Sequence, residues 1–375
     1  MQRIYLDHNA STPVDPQVIQ AILQELQEGQ GNPSSQHYHG QTTQRTIEKA
    51  RRLLSDYLGV KSQEIIWTSG GTEGANLALQ GVFQGCYKGH IITSEAEHSA
   101  VYQTIKALEE RGCTVTFLPV GPWGAVQVEA VKAAIQSDTR LITLMAVNNE
   151  TGVKTDIEAV SILAQEAGIP LIVDGVALLG KESFKIPRGV SAMFFSGHKL
   201  HAPVGVGALF CRQTLKLTPL FLGGHQEFNK RAGSANLPGI VGFAAAIEIL
   251  KQNQIEFTAH MQQMRDRLEI GLQSHLPQIK INGQGPRIVN TSSISFLGVD
   301  GESLLIHLDQ AGLSASHGSA CSSGALEPSR ILLNMGLTLA QARSTIRFSV
   351  SRQTTLEEID QALAIIIRAV NHLRR

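Results

Sequence analysis

What this chain has little of narrows it first. Its 375 residues include 32 basic and 32 acidic side chains, so the formal net charge is zero, and charged residues are only 17% of the total. Without a basic excess, general nucleic-acid binding is not expected. So few charges also fit a chain that hides surface in an oligomer. The four cysteines, Cys86, Cys113, Cys211 and Cys321, are scattered with no Cys-x-x-Cys pair, which gives neither a disulfide framework nor a zinc cluster. No apolar run is long enough to span a membrane, and Met1 to Asp7 lacks a basic region followed by an apolar stretch. No signal peptide, no membrane association and a reducing cytoplasm are therefore expected. There is no internal repeat and no low-complexity linker. At 42% hydrophobic residues, the length suffices for one large and one small domain with a substantial core.

What is present is a rhythm. Helical patterns over Pro16 to Glu28 and Gln41 to Tyr57 lead into alternating strands and helices. Glu64–Thr68, His90–Thr93, Arg140–Met145 and Pro170–Asp174 read as strands, with helices near Thr72 and over Ser99–Glu110. That alternation predicts a mostly parallel sheet covered on both faces. Gly205–Phe210 follows the preceding strand too closely for a helical crossover and should return antiparallel. A long helix over Pro238–Leu276 leads out of the sheet. The remainder, with strands near Ser293–Phe296 and Ser344–Ser349 and a last helix starting at Thr355, reads as a smaller α+β unit.

The most informative stretch is Ala192-Met193-Phe194-Phe195-Ser196-Gly197-His198-Lys199. A buried strand delivers Ser, His and Lys to one point at its end. A partly desolvated lysine has a lowered amine pKa and can form a Schiff base with a carbonyl. Pyridoxal phosphate is the carbonyl cofactor that uses such a lysine, and it also needs an acid for its ring nitrogen and donors for its phosphate. Asp174 ends an apolar strand, where it suits a pyridinium nitrogen or a simple helix cap. Thr68-Ser69-Gly70-Gly71-Thr72-Glu73-Gly74 lies between a strand and a helix, as a phosphate cradle or as a tight turn capped by Thr72. His98 suits ring stacking or proton shuttling, or else capping. Asn149 suits a phenolate oxygen, or else turn chemistry. Arg347, inside an apolar strand, needs an anion: a substrate carboxylate or a structural partner. Cys321 stands in a segment of small polar residues, Ser314 to Gly324, a setting for a nucleophile; the other three cysteines read as structural.

Taken together these motifs resemble the cysteine desulfurases, the NifS/IscS-type branch of the class V aminotransferase family. The likeness runs from Tyr5-Leu6-Asp7-His8-Asn9-Ala10-Ser11-Thr12 and Gly31-Asn32-Pro33-Ser34-Ser35-Gln36-His37 to Arg231-Ala232-Gly233-Ser234, Gly318-Ser319-Ala320-Cys321, Leu326-Glu327-Pro328-Ser329 and Ile346-Arg347-Phe348-Ser349. It implies an α/β enzyme of PLP fold type I, with a mostly parallel seven-stranded sheet in a large domain (residues 15–255) and a small α+β domain (residues 1–14 and 256–375). It implies a homodimer with the active site at the subunit interface. Lys199 carries the cofactor, Asp174 meets the pyridinium nitrogen, His98 stacks on the ring, and Asn149 lies near the ring oxygen. Gly71, Thr72, Ser196 and His198 hold the phosphate, with Ser234 from the other subunit. Arg347 grips the carboxylate of L-cysteine, and Cys321 takes the sulfur as a persulfide, releasing L-alanine. The segment around Cys321 resembles that of the branch that passes sulfur to an iron–sulfur scaffold protein. A selenocysteine or cysteine-sulfinate lyase, or a weakly active member serving as a sulfur-transfer binding partner, are the alternatives. The sequence departs from the family pattern at Ala177, where a glutamine usually bonds the ring oxygen. It departs again at His201-Ala202-Pro203-Val204, in place of Tyr-Gly-Pro-Lys, and at Glu227-Phe228-Asn229, in place of Glu-Arg-Gly.

Overall fold

A computed structural model describes residues 3–29, 31–318 and 328–375. Its centre is a seven-stranded sheet: β1 (Ile65–Thr68), β2 (His90–Ser94), β3 (Thr114–Leu118), β4 (Thr139–Met145), β5 (Leu171–Asp174), β6 (Val190–Ser196) and β7 (Gly207–Cys211), in the spatial order β1-β7-β6-β5-β4-β2-β3. Every neighbouring pair is parallel except those of β7, which runs antiparallel to both β6 and β1. Since β1 and β6 both oppose β7, β1 points the same way as the parallel strands. The carboxyl ends of six strands therefore open on one edge, where ligands gather in open α/β sheets. β1, β5 and the inner part of β4 are buried along their length, as continuous apolar runs in a sheet covered on both faces must be.

Helices α1 (Pro16–Glu28), α2 (Tyr38–Leu58), α3 (Gly71–Gly81) and α4 (Ser99–Glu110) fall where the periodicity places them, although α2 starts three residues earlier than expected. His37 explains that earlier start, since its ring nitrogen accepts from the Gly40 N–H and caps the helix. The strand β3 carries no clear signal in the sequence. It lies at the sheet edge with its first four residues exposed or half-buried, so its apolar signal is weak. Of the three cysteines read as structural, Cys113 and Cys211 are buried, but Cys86 is exposed in the connection before β2.

The long helix Leu237–His275 joins two apolar cores. Ile240, Phe243, Ile247 and Leu250 pack into the core of the large sheet. Met261, Met264, Leu268 and Leu272 belong to a second core, with Ile346, Phe348 and the helix Leu356–Leu373. That second core includes a three-stranded antiparallel sheet of Ile279–Ile281, Thr291–Phe296 and Thr345–Ser349. Thr355 caps the last helix in a reciprocal box with Glu358, as its sequence indicates. No described helix is long and apolar enough to cross a membrane.

Phe243 meets the Trp67 ring edge-on at 5.5 Å and so braces the strand that leads into the Thr68–Gly74 turn. Phe243→Ala is expected to lower the free energy of unfolding by about 3–5 kcal/mol, measured by urea titration.

Candidate active site

One cavity, of about 170 Å³, opens at the carboxyl edge of the sheet. Each strand end contributes what its sequence offers. The turn after β1 brings Gly71 and Thr72, and the turn after β2 brings His98. Asn149 follows β4, Asp174 ends β5, and Ser196, His198 and Lys199 come from the end of β6. Arg347 enters from the small sheet, and His8, Asn9 and Ala10 enter from the N-terminal segment. The structure thus brings together every proposed cofactor and substrate residue except Ser234 and Cys321. Ser234 lines a different cavity, with Arg51, Glu227 and Arg231. Cys321 lies outside the described residues.

Lys199 ends a single 3-10 turn, Gly197–Lys199, directly after β6. Its amine donates to the carbonyls of Asn9 and, at 3.0 Å, of Ala10. The turn is fixed to the N-terminal segment by Thr12, whose N–H and hydroxyl both donate to the His198 carbonyl at 2.8 Å. Burial raises the Asp174 carboxyl to about 6, against the lowering influence of the Val176 N–H and of Lys199. It is therefore still ionised at neutral pH, as a partner for a cationic ring nitrogen must be. Burial first, then Lys199 and Arg330, lowers His98 to about 4; burial and Lys199 lower His198 to about 4. Both imidazoles are neutral in this setting.

Several pairs of readings left open by the sequence turn out to be compatible. His98 caps α4, accepting from the Ala100 N–H at 3.1 Å, and lines the cavity as well. Arg347 pairs with Asp7 at 2.8 Å and donates to the Asn149 carbonyl at 3.0 Å, yet it too reaches the cavity. The turn at Gly70 needs a correction. The helix begins at Gly71 with Gly70 as its cap, so Thr72 stands within the first turn and does not cap it. The reason is steric: a Cβ on Gly71 would come within 2.8 Å of Val176 Cγ2, so only glycine lets the helix start this close to the end of β5.

Sequence reasoning gave no separate role to His8 or to Lys181, both of which are buried on the cavity wall. His8 stands inside a motif that carried the family likeness, but Lys181 had no local signal. It lies in a coil after β5 that reads as ordinary connection.

Fold and site together define a lysine-centred α/β enzyme, with a carboxylate, two neutral imidazoles and a guanidinium facing the lysine. The comparisons make this specific. The aminotransferase class-V family matches residues 4–362, and the chain belongs to that family. A cysteine desulfurase of Trichormus variabilis is 42% identical, with 100% of this chain and 94% of the relative covered. The cysteine desulfurase IscS of Dictyoglomus turgidum is 40% identical over 100% of this chain and 96% of its own. Among solved structures, a NifS-like protein superposes with a TM-score of 0.92 at 34% identity, covering 99% of this chain and 100% of its own. SspA in complex with cysteine superposes with a TM-score of 0.82 at 30% identity, covering 94% of this chain and 100% of its own.

Enzymes of this family work with pyridoxal phosphate, and the residues here fit it. The α3 N-terminus presents N–H groups that have no intrahelical partner beside Ser196 and His198, a cradle for a phosphate. The Asn149 side-chain oxygen is buried with no hydrogen-bond partner among the described residues, which leaves its amide for a ligand.

Glu97, beside His98, supplies a pH test. One of its oxygens accepts from Ser94 Oγ at 2.7 Å and from the Met145 N–H at 3.1 Å; the other is buried without a partner among the described residues. Burial, with Asp174 adding to it, raises this carboxyl from 4.5 to about 8. The fold therefore favours the protonated acid, and stability from this group is present below about pH 4.5 and lost as pH rises towards 8. Glu97→Gln keeps the acceptor oxygen and cannot ionise. Its stability relative to the parent should rise by roughly 3–4 kcal/mol between about pH 5 and pH 8, measured by denaturant titration at each pH.

Proposed function

We propose that this chain is a pyridoxal-phosphate-dependent cysteine desulfurase, which takes the sulfur from L-cysteine, releases L-alanine and leaves a persulfide on Cys321. The observation that carries the reading is the meeting of Lys199, Asp174, His98, Asn149 and Arg347 in one cavity at the sheet edge. Full-length similarity to proteins named cysteine desulfurase supports it, as does likeness to a structure holding cysteine. The alternatives, a selenocysteine lyase and a weakly active binding partner, have no observation in their favour.

The cofactor, when bound, supplies the electron sink that lets bonds to the cysteine Cα and Cβ be remade. This chain's residues supply the rest. Arg347, buried and forked, takes the substrate carboxylate while its pair with Asp7 fixes its plane. Asp174 keeps a negative charge at the far wall, and His98 offers a flat neutral face. Lys199 carries protons at its amine. Cys321, as the thiolate, attacks the substrate sulfur. The Cβ–S bond breaks, its electron pair stays with the carbon, and a proton on Cβ completes alanine; the sulfur stays on Cys321 as the persulfide.

Several finer points belong to the same reading. Residues 15–255 form the cofactor-binding domain, and residues 1–14 and 256–375 form the smaller one. The enzyme is a cytoplasmic homodimer in which Ser234 of one copy completes the phosphate site of the other. Its separation from the first cavity within one chain supports that arrangement. The persulfide passes to an acceptor protein, such as an iron–sulfur scaffold.

Alanine release from L-cysteine, followed together with visible absorbance, tests the proposal. The parent should show the bound-cofactor band and form alanine. Lys199→Ala should lose both, whereas Cys321→Ser should keep the band and lose alanine formation. A parent with neither band nor alanine overturns the reading. Arg347→Lys keeps a charge but loses the fork, and should raise KM for cysteine about ten- to a hundredfold, read from initial rates.

A further inference from the structure

The cavity wall contains a cation, Lys181, that the reaction as described does not use. Lys181 is 3% exposed, and its ammonium donates to the backbone carbonyl of Lys199 at 2.8 Å. An ammonium has three donors, and among the described residues this one has no carboxylate partner. A buried cation without an anion is costly, so what its charge acts on decides its role.

Its position shows what that is. The N–H groups of Leu178 and Leu179 bond the Gly175 carbonyl and that of Lys181 bonds Leu178, so residues 175–181 fold as consecutive turns. Ala177 and Lys181 both stand on these turns, and both line the cavity with Lys199 and His8. With only a methyl group at Ala177, no side-chain donor stands there, and Lys181 is the charged group on that wall.

We infer that Lys181 is a positioning residue for Lys199: its ammonium holds the carbonyl of the lysine-bearing turn, and its charge makes the Lys199 nitrogen harder to protonate, a task the short side chain of Ala177 cannot share. This rests on the cofactor reading above. The groups facing Lys181 are few. The N-terminal segment presents His8, and the turn after β6 presents Lys199 and His201. Arg352, paired with Asp15 at 2.8 Å, approaches from beyond the small sheet. The long helix offers only a hydroxyl, Thr258 Oγ1, which donates to the Lys181 carbonyl at 2.9 Å. Burial, then Arg352 and Lys199, lowers Lys181 itself to about 7.

The test is a pH titration of the visible absorbance of the cofactor-loaded protein, in the parent, Lys181→Met, Lys181→Arg, Ala177→Gln and Ala177→Gln/Lys181→Met. The midpoint should rise by about one unit in Lys181→Met and return to the parental value or below in Lys181→Arg, which stays charged. The rise should be smaller in the Ala177→Gln background, where an amide shares the task. Equal midpoints in the parent and Lys181→Met, or the same shift in Lys181→Met and Lys181→Arg, overturn the inference and leave the cofactor reading intact. If Lys181→Met does not fold, a Lys181→Arg midpoint above the parental one overturns it as well. A parent with no visible band overturns the cofactor reading, and this inference with it.

Discussion

Holding an amine out of bulk water at the end of β6 is the constraint on which the rest of the site depends. A lysine there is tolerated only if acceptors surround it, and the acceptors are the carbonyls of Asn9 and Ala10, from the other end of the chain. The N-terminal segment must therefore be docked before the site exists. Two ties dock it. Ile4 and Tyr5 pair in parallel with Leu313 and Ser314, and Thr12 holds the carbonyl of His198. Asp7 then falls beside Arg347, so the guanidinium that faces the cavity is aimed by the same segment that clasps the lysine. The large and small cores meet at this point, and a disturbance in either is felt by Lys199.

Burial also sets the charges. The same loss of water that raises Asp174 lowers His98 and His198, and the Lys199 charge acts on all three, favouring the ionised acid and the neutral rings. Acid and imidazoles thus reach the forms a cationic aromatic ring and its phosphate require without a separate device for each.

The sequence displays the parts of this arrangement that are local. Strand-end residues are visible because buried parallel strands are continuous apolar runs, and the polar residue that ends a run stands out. Asp174, Asn149 and the Ser196 to Lys199 stretch were found in this way. Edge strand β3 lacks that contrast, and so no local pattern marks it. Lys181 and His8 were not assigned because their roles arise from tertiary approach: one rides a coil that folds back beneath Lys199, and the other comes from nearly two hundred residues upstream of it. The alternative reading of Thr72 as a cap does not hold for a related reason, because the close packing of Gly71 on Val176 is a contact across the sheet edge that no local pattern records.

Two of the departures from the family pattern, His201 and Ala177, lie near the lysine, while Glu227 and Phe228 line the other cavity. His201 stands where a tyrosine is usual. Its backbone is left-handed, at φ 66°, and its ring bonds the Pro13 carbonyl at 2.8 Å while its N–H donates to Thr12 Oγ1 at 2.7 Å. Burial keeps the ring neutral, with Arg352 and Lys181 adding to the effect. A neutral imidazole can lie near two cations where a second charge could not. Ala177 removes a donor from the same wall, and Lys181 remains as its charge. These two replacements are coherent: one puts a neutral ring and the other a methyl group near the lysine, so that Lys181 joins Asp174 and Arg347 among the charges that act on Lys199.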